Sequence, residues 1–264
     1  MRNSPYSITI LLAFAVVFLT CFTSCEKSKH QKGTYKIIKD AVTDIDGNHY
    51  DGVQIGEQIW TIQNINTTRY ADGTEIPLTT LSAEDYHLHI DSAYRWAPQN
   101  VNRNVDKFGW LYSWPAIIRD GNGSESNPSG VQGICPNGWH VPSDAEWTEL
   151  TDYVSKDKKM CCQRAEFAIA KALAAQTDWS KAYDKCDIGY NLSENNATGF
   201  SALPAGDANF DYDYRPLGTW GFFWTATYDS GNNSYRRCFC SENDNVDRST
   251  ASLGAGYSVR CVKD

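Results

Sequence analysis

The chain has 264 residues, 41% of them hydrophobic and 13% aromatic, and a formal net charge of −8 at pH 7. A chain of this sign repels phosphate backbones and anionic lipid surfaces, which argues against nucleic acid as a partner. Its length suits a single domain with a sizeable buried core, and no internal repeat divides it.

Residues 1–24 read as an export signal. Arg2 gives a positive start, and the apolar run from Ile8 to Leu19 is shorter than the ~20 residues of a spanning helix. Thr23 and Ser24 before Cys25 resemble a bacterial lipobox, in which the signal is removed and Cys25 becomes the lipid-bearing first residue. Two or more acyl chains hold a protein stably on a membrane, which one chain does not. The expected location is therefore the bacterial cell envelope, as an outer-membrane lipoprotein. Residues 25–40 are the expected lipidated cysteine and polar tether, and 41–264 the folded domain. Losing residues 1–24 removes one charge, Arg2, and takes the balance from −8 to −9.

Next, Thr43 to Tyr50 and Val53 to Trp60 alternate apolar and polar residues around Asp-Gly and Gly-Glu turns, the pattern of short antiparallel hairpins. From Leu78 to Gly133 turn residues separate Tyr94, Trp96, Phe108, Trp110, Tyr112 and Trp114, and Asp120 to Gly130 is a Gly, Ser and Asn-rich loop. Ser143 and Glu146 form an S-x-x-E capping box. Trp147, Leu150 and Val154 follow at helical spacing and are expected to face the core. A second helix is expected near Arg164 to Gln176, with Phe167, Ala170 and Leu173 on one stripe. Asn196 to Gly206, Thr219 to Thr227 and the terminal segment are strand-like.

The block Cys135-Pro136-Asn137-Gly138-Trp139-His140-Val141-Pro142-Ser143-Asp144-Ala145-Glu146-Trp147 is answered at the far end by Gly256-Tyr257-Ser258-Val259-Arg260-Cys261-Val262. Asp44-x-Asp46-Gly47-Asn48-x-Tyr50, Ile55-Gly56-x-Gln58-x-Trp60, Phe108-Gly109-x-Leu111-Tyr112-x-Trp114 and Ala170-Lys171-Ala172-Leu173 stand in order between and before them. This set resembles the Fibrobacter succinogenes major paralogous domain, a module of bacterial surface and secreted lipoproteins. The resemblance runs from about Thr43 to Asp264. It implies an α+β, C-type-lectin-like single domain, akin also to formylglycine-generating enzymes, with short antiparallel strands, two helices and long irregular loops. No established activity comes with it. Cys161, Cys162, Cys186, Cys238 and Cys240 depart from the family pattern, and Ala205 stands where a glycine is common.

Seven cysteines follow Cys25, and in an oxidising compartment pairing is the default, with the odd count leaving at least one over. The resemblance implies that Cys135 pairs with Cys261. Neighbouring Cys161 and Cys162 rarely bond each other, so one of the two, Cys162 taken first, is expected to pair with Cys186. Partners for Cys238 and Cys240 cannot be read.

Flat aromatic faces stack on sugar rings, although a loop-rich fold also needs large side chains to fill its core. Trp96, Tyr212, Tyr214, Trp220 and Tyr228 sit beside turn residues and are the expected surface-binding aromatics. The expected function is a lipid-anchored binding module for carbohydrate or another surface polymer, without catalysis. The alternatives are a protein-binding adhesin or envelope assembly component, and a thiol- or copper-dependent oxidase using Cys238 and Cys240, whose spacing on a strand puts both on one side. No resident cofactor is expected. Calcium is the ion the lectin analogy suggests, with Glu242 to Asn245 and Asp247 as its oxygen donors, but a solvated acidic loop explains these residues, and a hairpin turn explains Asp44-x-Asp46-Gly47-Asn48. His87 and His89 are two ligands at most for zinc, and His140 reads as a structural hydrogen-bonding residue.

Overall fold

The computed structural model describes residues 35–80, 90–119, 121–162, 167–208 and 215–264. The expected export segment with Cys25, and His87, His89, Tyr212 and Tyr214, lie outside them. Among the described residues ten strands follow in chain order: β1 Tyr35–Thr43, β2 His49–Ile55, β3 Gln58–Thr61, β4 Arg95–Trp96, β5 Leu111–Tyr112, β6 Trp139–His140, β7 Trp220–Tyr228, β8 Asn233–Cys240, β9 Asp247–Ser252 and β10 Val262–Lys263. The helices are α1 Val105–Phe108, α2 Trp114–Ile118, α3 Asp144–Ser155 and α4 Ala170–Leu173, with three short 3-10 turns. This is a mixed α+β architecture. The strands form antiparallel sheets ordered β1-β2-β3-β10-β6, β4-β5 and β7-β8-β9.

The first hairpin is fixed locally. The Asp44 carboxylate accepts the backbone N–H groups of Asp46 and Asn48, each at 2.9 Å, and the Tyr50 hydroxyl at 2.6 Å. Gly47 supplies the positive φ of 84° that the turn requires. Thr43 then pairs with His49 and Tyr35 with Ile55. Strand β1 begins at Tyr35, so residues 35–40, expected in a polar tether, lie in a strand. Their register against Val53 and Ile55 gives the backbone ladder partners that a solvated tether lacks.

Helix α3 forms as the local signals require. Ser143 Oγ accepts the Glu146 N–H at 3.1 Å, and the Glu146 carboxylate accepts the Ser143 N–H at 2.9 Å. Such a cap contributes about 1 kcal/mol. Trp147, Leu150 and Val154 are fully buried beneath it, each worth roughly 1.5–3 kcal/mol against exposure. Residues 164–166 of the second expected helix lie outside the described residues; from Phe167 on, only the single turn α4 is helical, and Phe167 points outward at 58% exposure. The Ala170 N–H goes to Asp244 O, and Ala168 O accepts from Cys162, so tertiary bonds take groups a longer helix would pair internally. Asn196–Gly206 is not a strand either. Asn196, Gly199, Ser201 and Gly206 all have positive φ, and only the isolated bridges Ala174 to Ala202 and Gly206 to Gly221 remain.

The last strand locks the body. β10 lies between β3 and β6, and Cys261 beside it is disulfide-bonded to Cys135 with Cα atoms 5.9 Å apart. A second disulfide joins Cys162 to Cys186, Cα to Cα 5.5 Å. Cys161, Cys238 and Cys240 lie outside both bonds. Arg260 is wholly buried, yet its guanidinium donates to Asn64 Oδ1 and Thr61 O at 2.7 Å and to Phe200 O and Ser201 O at 2.8 Å. Burial brings its pKa down to about 9. It ties three segments together through neutral acceptors. Among the described residues, no helix is long and apolar enough to cross a membrane.

Candidate functional site

Strand β7 is buried on both sides, and its register against β8 sorts the side chains. Trp220 faces Cys240, Phe222 faces Cys238 and Trp224 faces Arg236, and directly opposed residues share a face. The alternate residue Phe223 packs 5.7 Å from the Trp147 ring of α3. One side of the three-stranded sheet therefore faces the helix, and the other carries aromatics, thiols and Arg236.

On that second side, the Trp220 and Phe222 rings lie parallel within 5° at 5.5 Å. The Arg215 guanidinium stands 5.1 Å from both ring centres, and that of Arg236 stands 4.6 Å from Phe222 and 4.9 Å from Tyr257. Trp220, Arg215, Arg236 and Ser249 are half-buried, while Phe222 and Tyr257 are fully buried. Arg236 Nε donates to Ser249 Oγ at 3.1 Å and Nη1 donates to the Tyr257 hydroxyl. Core aromatics thus hold in place a partly open row of one indole and two guanidiniums.

Cys238 lies in this row, 3.3 Å from Ser249 Oγ. Burial pushes its thiol up, and the neighbouring arginines only partly offset this; burial raises Cys240 as well. Neither thiol has the depressed pKa of a reactive cysteine.

Among the described residues the expected binding aromatics do not converge. Trp96 is buried at 2% exposure, which corrects its reading as a surface residue: β4 pairing with Leu111 turns it inward, 6.1 Å from Tyr94 and against Gly256. Tyr228, 37% exposed, donates its hydroxyl to Gly231 O at the other end of β7. Eight residues of extended chain put it roughly 26 Å from Trp220. Trp220 alone of the described candidates joins a cluster of polar groups. Arg215, Arg236, Ser249 and Tyr257 escaped sequence reading because only register brings them together. The usable signal was an arginine at the parity of buried residues in a strand.

Two shallow cavities of about 210 and 370 Å³ adjoin at Ala71 and Asn137 near Cys135. Their charged groups are already matched: Asp46 takes Arg69 Nε at 2.6 Å and Asp72 takes Arg119 Nη2 at 2.6 Å. His140 is buried between two carboxylates, with Nε2 2.6 Å from Glu146 Oε1 and Nδ1 2.7 Å from Asp264 Oδ1. The side chains of the acidic loop bond to one another. Asp247 Oδ2 accepts Asn243 Nδ2 at 3.1 Å and Asn243 Oδ1 accepts Asn245 N–H at 3.1 Å. Among the described residues no three His, Cys, Asp or Glu side chains gather as metal ligands.

No curated protein and no solved structure matches the chain. Residues 53–263, from the middle of β2 into the last strand, match the model of the Fibrobacter succinogenes major domain, and the chain belongs to that family.

Proposed function

We propose that this protein is a lipid-anchored module of the bacterial cell envelope that binds carbohydrate or another surface polymer through the face around Trp220. The observation that carries the reading is a half-buried indole held parallel to Phe222, with the Arg215 guanidinium against both rings and Arg236, bonded to Ser249, against Phe222. Sugar sites need such a rigid apolar plane with a few polar groups that fix orientation. The lipobox before Cys25 supports the anchor and the outer-membrane location. The place of β10 between β3 and β6, which brings the chain's end into the first sheet, supports the lectin-like reading of the fold. A glycan and polysaccharide array probed with the purified protein, with and without calcium, tests the function. Binding that Trp220→Ala abolishes is expected, and an array without signal in either condition refutes it.

A protein-binding role, as adhesin or assembly component, has one observation in its favour. Phe167 and Tyr183, 58% and 84% exposed, both lie within or beside the loop closed by Cys162 and Cys186. Cross-linking in the native membrane that returns a stoichiometric protein partner would favour it. The oxidase alternative has least support, since both candidate thiols are raised by burial.

A further inference from the structure

Several arginines elsewhere in this chain meet acids. Arg69 reaches Asp46, Arg119 reaches Asp72, and Arg237 and Arg248 share Asp144. Arg215 and Arg236 do not: among the described residues no carboxylate stands within ion-pair distance of either guanidinium. Their partners are ring faces. Both charged carbons lie within 5.1 Å of the one Phe222 ring centre, so a single ring holds two like charges in a chain of net charge −8. The acids nearby are otherwise engaged. Asp207 accepts the Arg215 backbone N–H at 3.3 Å, and Asp247 holds Asn243.

A guanidinium carries five N–H donors in a planar fork suited to oxyanions. Arg236 uses two groups, Nε and Nη1, on Ser249 and Tyr257, and Arg215 makes no side-chain hydrogen bond among the described residues. Unspent donors on both therefore stand against Phe222, the ring on which the half-buried Trp220 stacks.

We propose that the Trp220 face takes an anionic polysaccharide, one sugar ring stacking on Trp220 while its ring-borne oxyanion, carboxylate or sulfate, bridges Arg215 and Arg236. This rests on the carbohydrate reading above and adds the charge of the ligand. The negative balance of the chain discourages such polymers over its surface as a whole, so attraction is confined to this row. Arg236 and Ser249 set the fixed side of the site. Arg215, stacked on two rings and otherwise unengaged, is the adaptable side.

Titration calorimetry with polygalacturonate, dextran sulfate and neutral dextran tests the proposal. The expected result is saturable binding of at least one charged polymer, none of dextran, and affinity that falls with added salt. R215Q should weaken binding at least tenfold with the melting curve unchanged. R236Q should do the same, and if loss of its bonds to Ser249 and Tyr257 unfolds it, R215Q decides alone. Binding of polygalacturonate identifies carboxylate as sufficient, and binding of dextran sulfate alone identifies sulfate. Charged-polymer binding unaltered in R215Q overturns the proposal. Dextran bound as tightly as the charged polymers, and lost only in W220A, overturns it while leaving the carbohydrate reading standing. No binding of any polymer removes both.

Discussion

Removing the Cys135–Cys261 bond is expected to be the most damaging change available at the sulfurs. The bond closes a loop of 126 residues, against 24 for Cys162–Cys186. On the chain-entropy relation these loops are worth roughly 5 and roughly 3.5 kcal/mol at 25 °C. Local structure widens the gap. Cys135 and Cys261 are both fully buried in one apolar cluster, and β10, which the bond secures, is only two residues long. At roughly 2–4 °C per kcal/mol for a domain of this size, C135A/C261A should melt about 10–20 °C below wild type. C162A/C186A should fall by about 7–14 °C on the same scale. Circular dichroism melts of the two double variants without reductant measure both. If C135A/C261A melts within about 2 °C of wild type, or above C162A/C186A, the picture of a long loop clasped onto a short terminal strand is wrong.

His140 gives a pH dependence. Burial works to lower its pKa, but the hydrogen bonds to Glu146 and Asp264 prevail and raise it above the ordinary value. A raised folded pKa means that the stabilisation is complete below the ordinary histidine pKa and is lost as pH rises through the folded one. Urea midpoints of wild type should therefore fall relative to His140→Gln across that window, and parallel curves would show that the imidazolium contributes nothing. Arg260→Met leaves four acceptors, three of them buried, without their donors, at about 1–3 kcal/mol each, so a loss above about 4 kcal/mol is expected in urea unfolding. A loss below 1 kcal/mol would mean those acceptors find other donors. Gly256→Ala would set its Cβ 2.7 Å from Ala208 Cβ and 2.9 Å from the Trp96 ring, an overpacking worth about 1–3 kcal/mol. Unchanged stability and near-ultraviolet dichroism would show that Trp96 is free to shift.

What could be read from the chain was whatever chemistry closes within a few residues. The Ser143–Glu146 box and the Trp147, Leu150, Val154 spacing define α3 without reference to anything distant, and Asp44 folds its own turn. The block around Cys135 and the terminal motif placed the long disulfide through resemblance. Reading failed where distant backbone partners decide. Ala170 is capped by Asp244, and Asn196–Gly206 is bent by positive φ while it threads between Lys171, Ala172 and Trp220. Strand β9, Asp-Arg-Ser-Thr-Ala-Ser, has no apolar alternation and exists because β8 offers it an edge. Trp96 and Trp220 look alike in sequence, each beside turn residues. Only packing makes one a core residue and leaves the other open.

Arg236 and Arg237 sharpen that point, because adjacent residues of one strand point to opposite faces. Arg237 goes to the helix side. It is 2% exposed and is bonded to Asp144 at the start of α3, with Nη2 2.9 Å from Thr148 Oγ1. Arg236 goes to the aromatic side and meets no acid. Breaking a buried pair by removing one member leaves the other charge uncompensated, typically at 3–5 kcal/mol, although Arg248 also reaches Asp144 at 2.8 Å and softens the loss. Arg237→Gln should therefore lower stability by about 3 kcal/mol while the folded fraction still binds polygalacturonate with unchanged affinity. Arg215→Gln should reverse the pattern, with stability within about 0.5 kcal/mol of wild type and binding lost. Urea unfolding and calorimetry on the same two preparations give both readouts. If Arg215→Gln destabilises as much as Arg237→Gln, the guanidinium on Trp220 and Phe222 is a packing element of the sheet. A recognition group should instead leave the fold intact and take only the ligand with it.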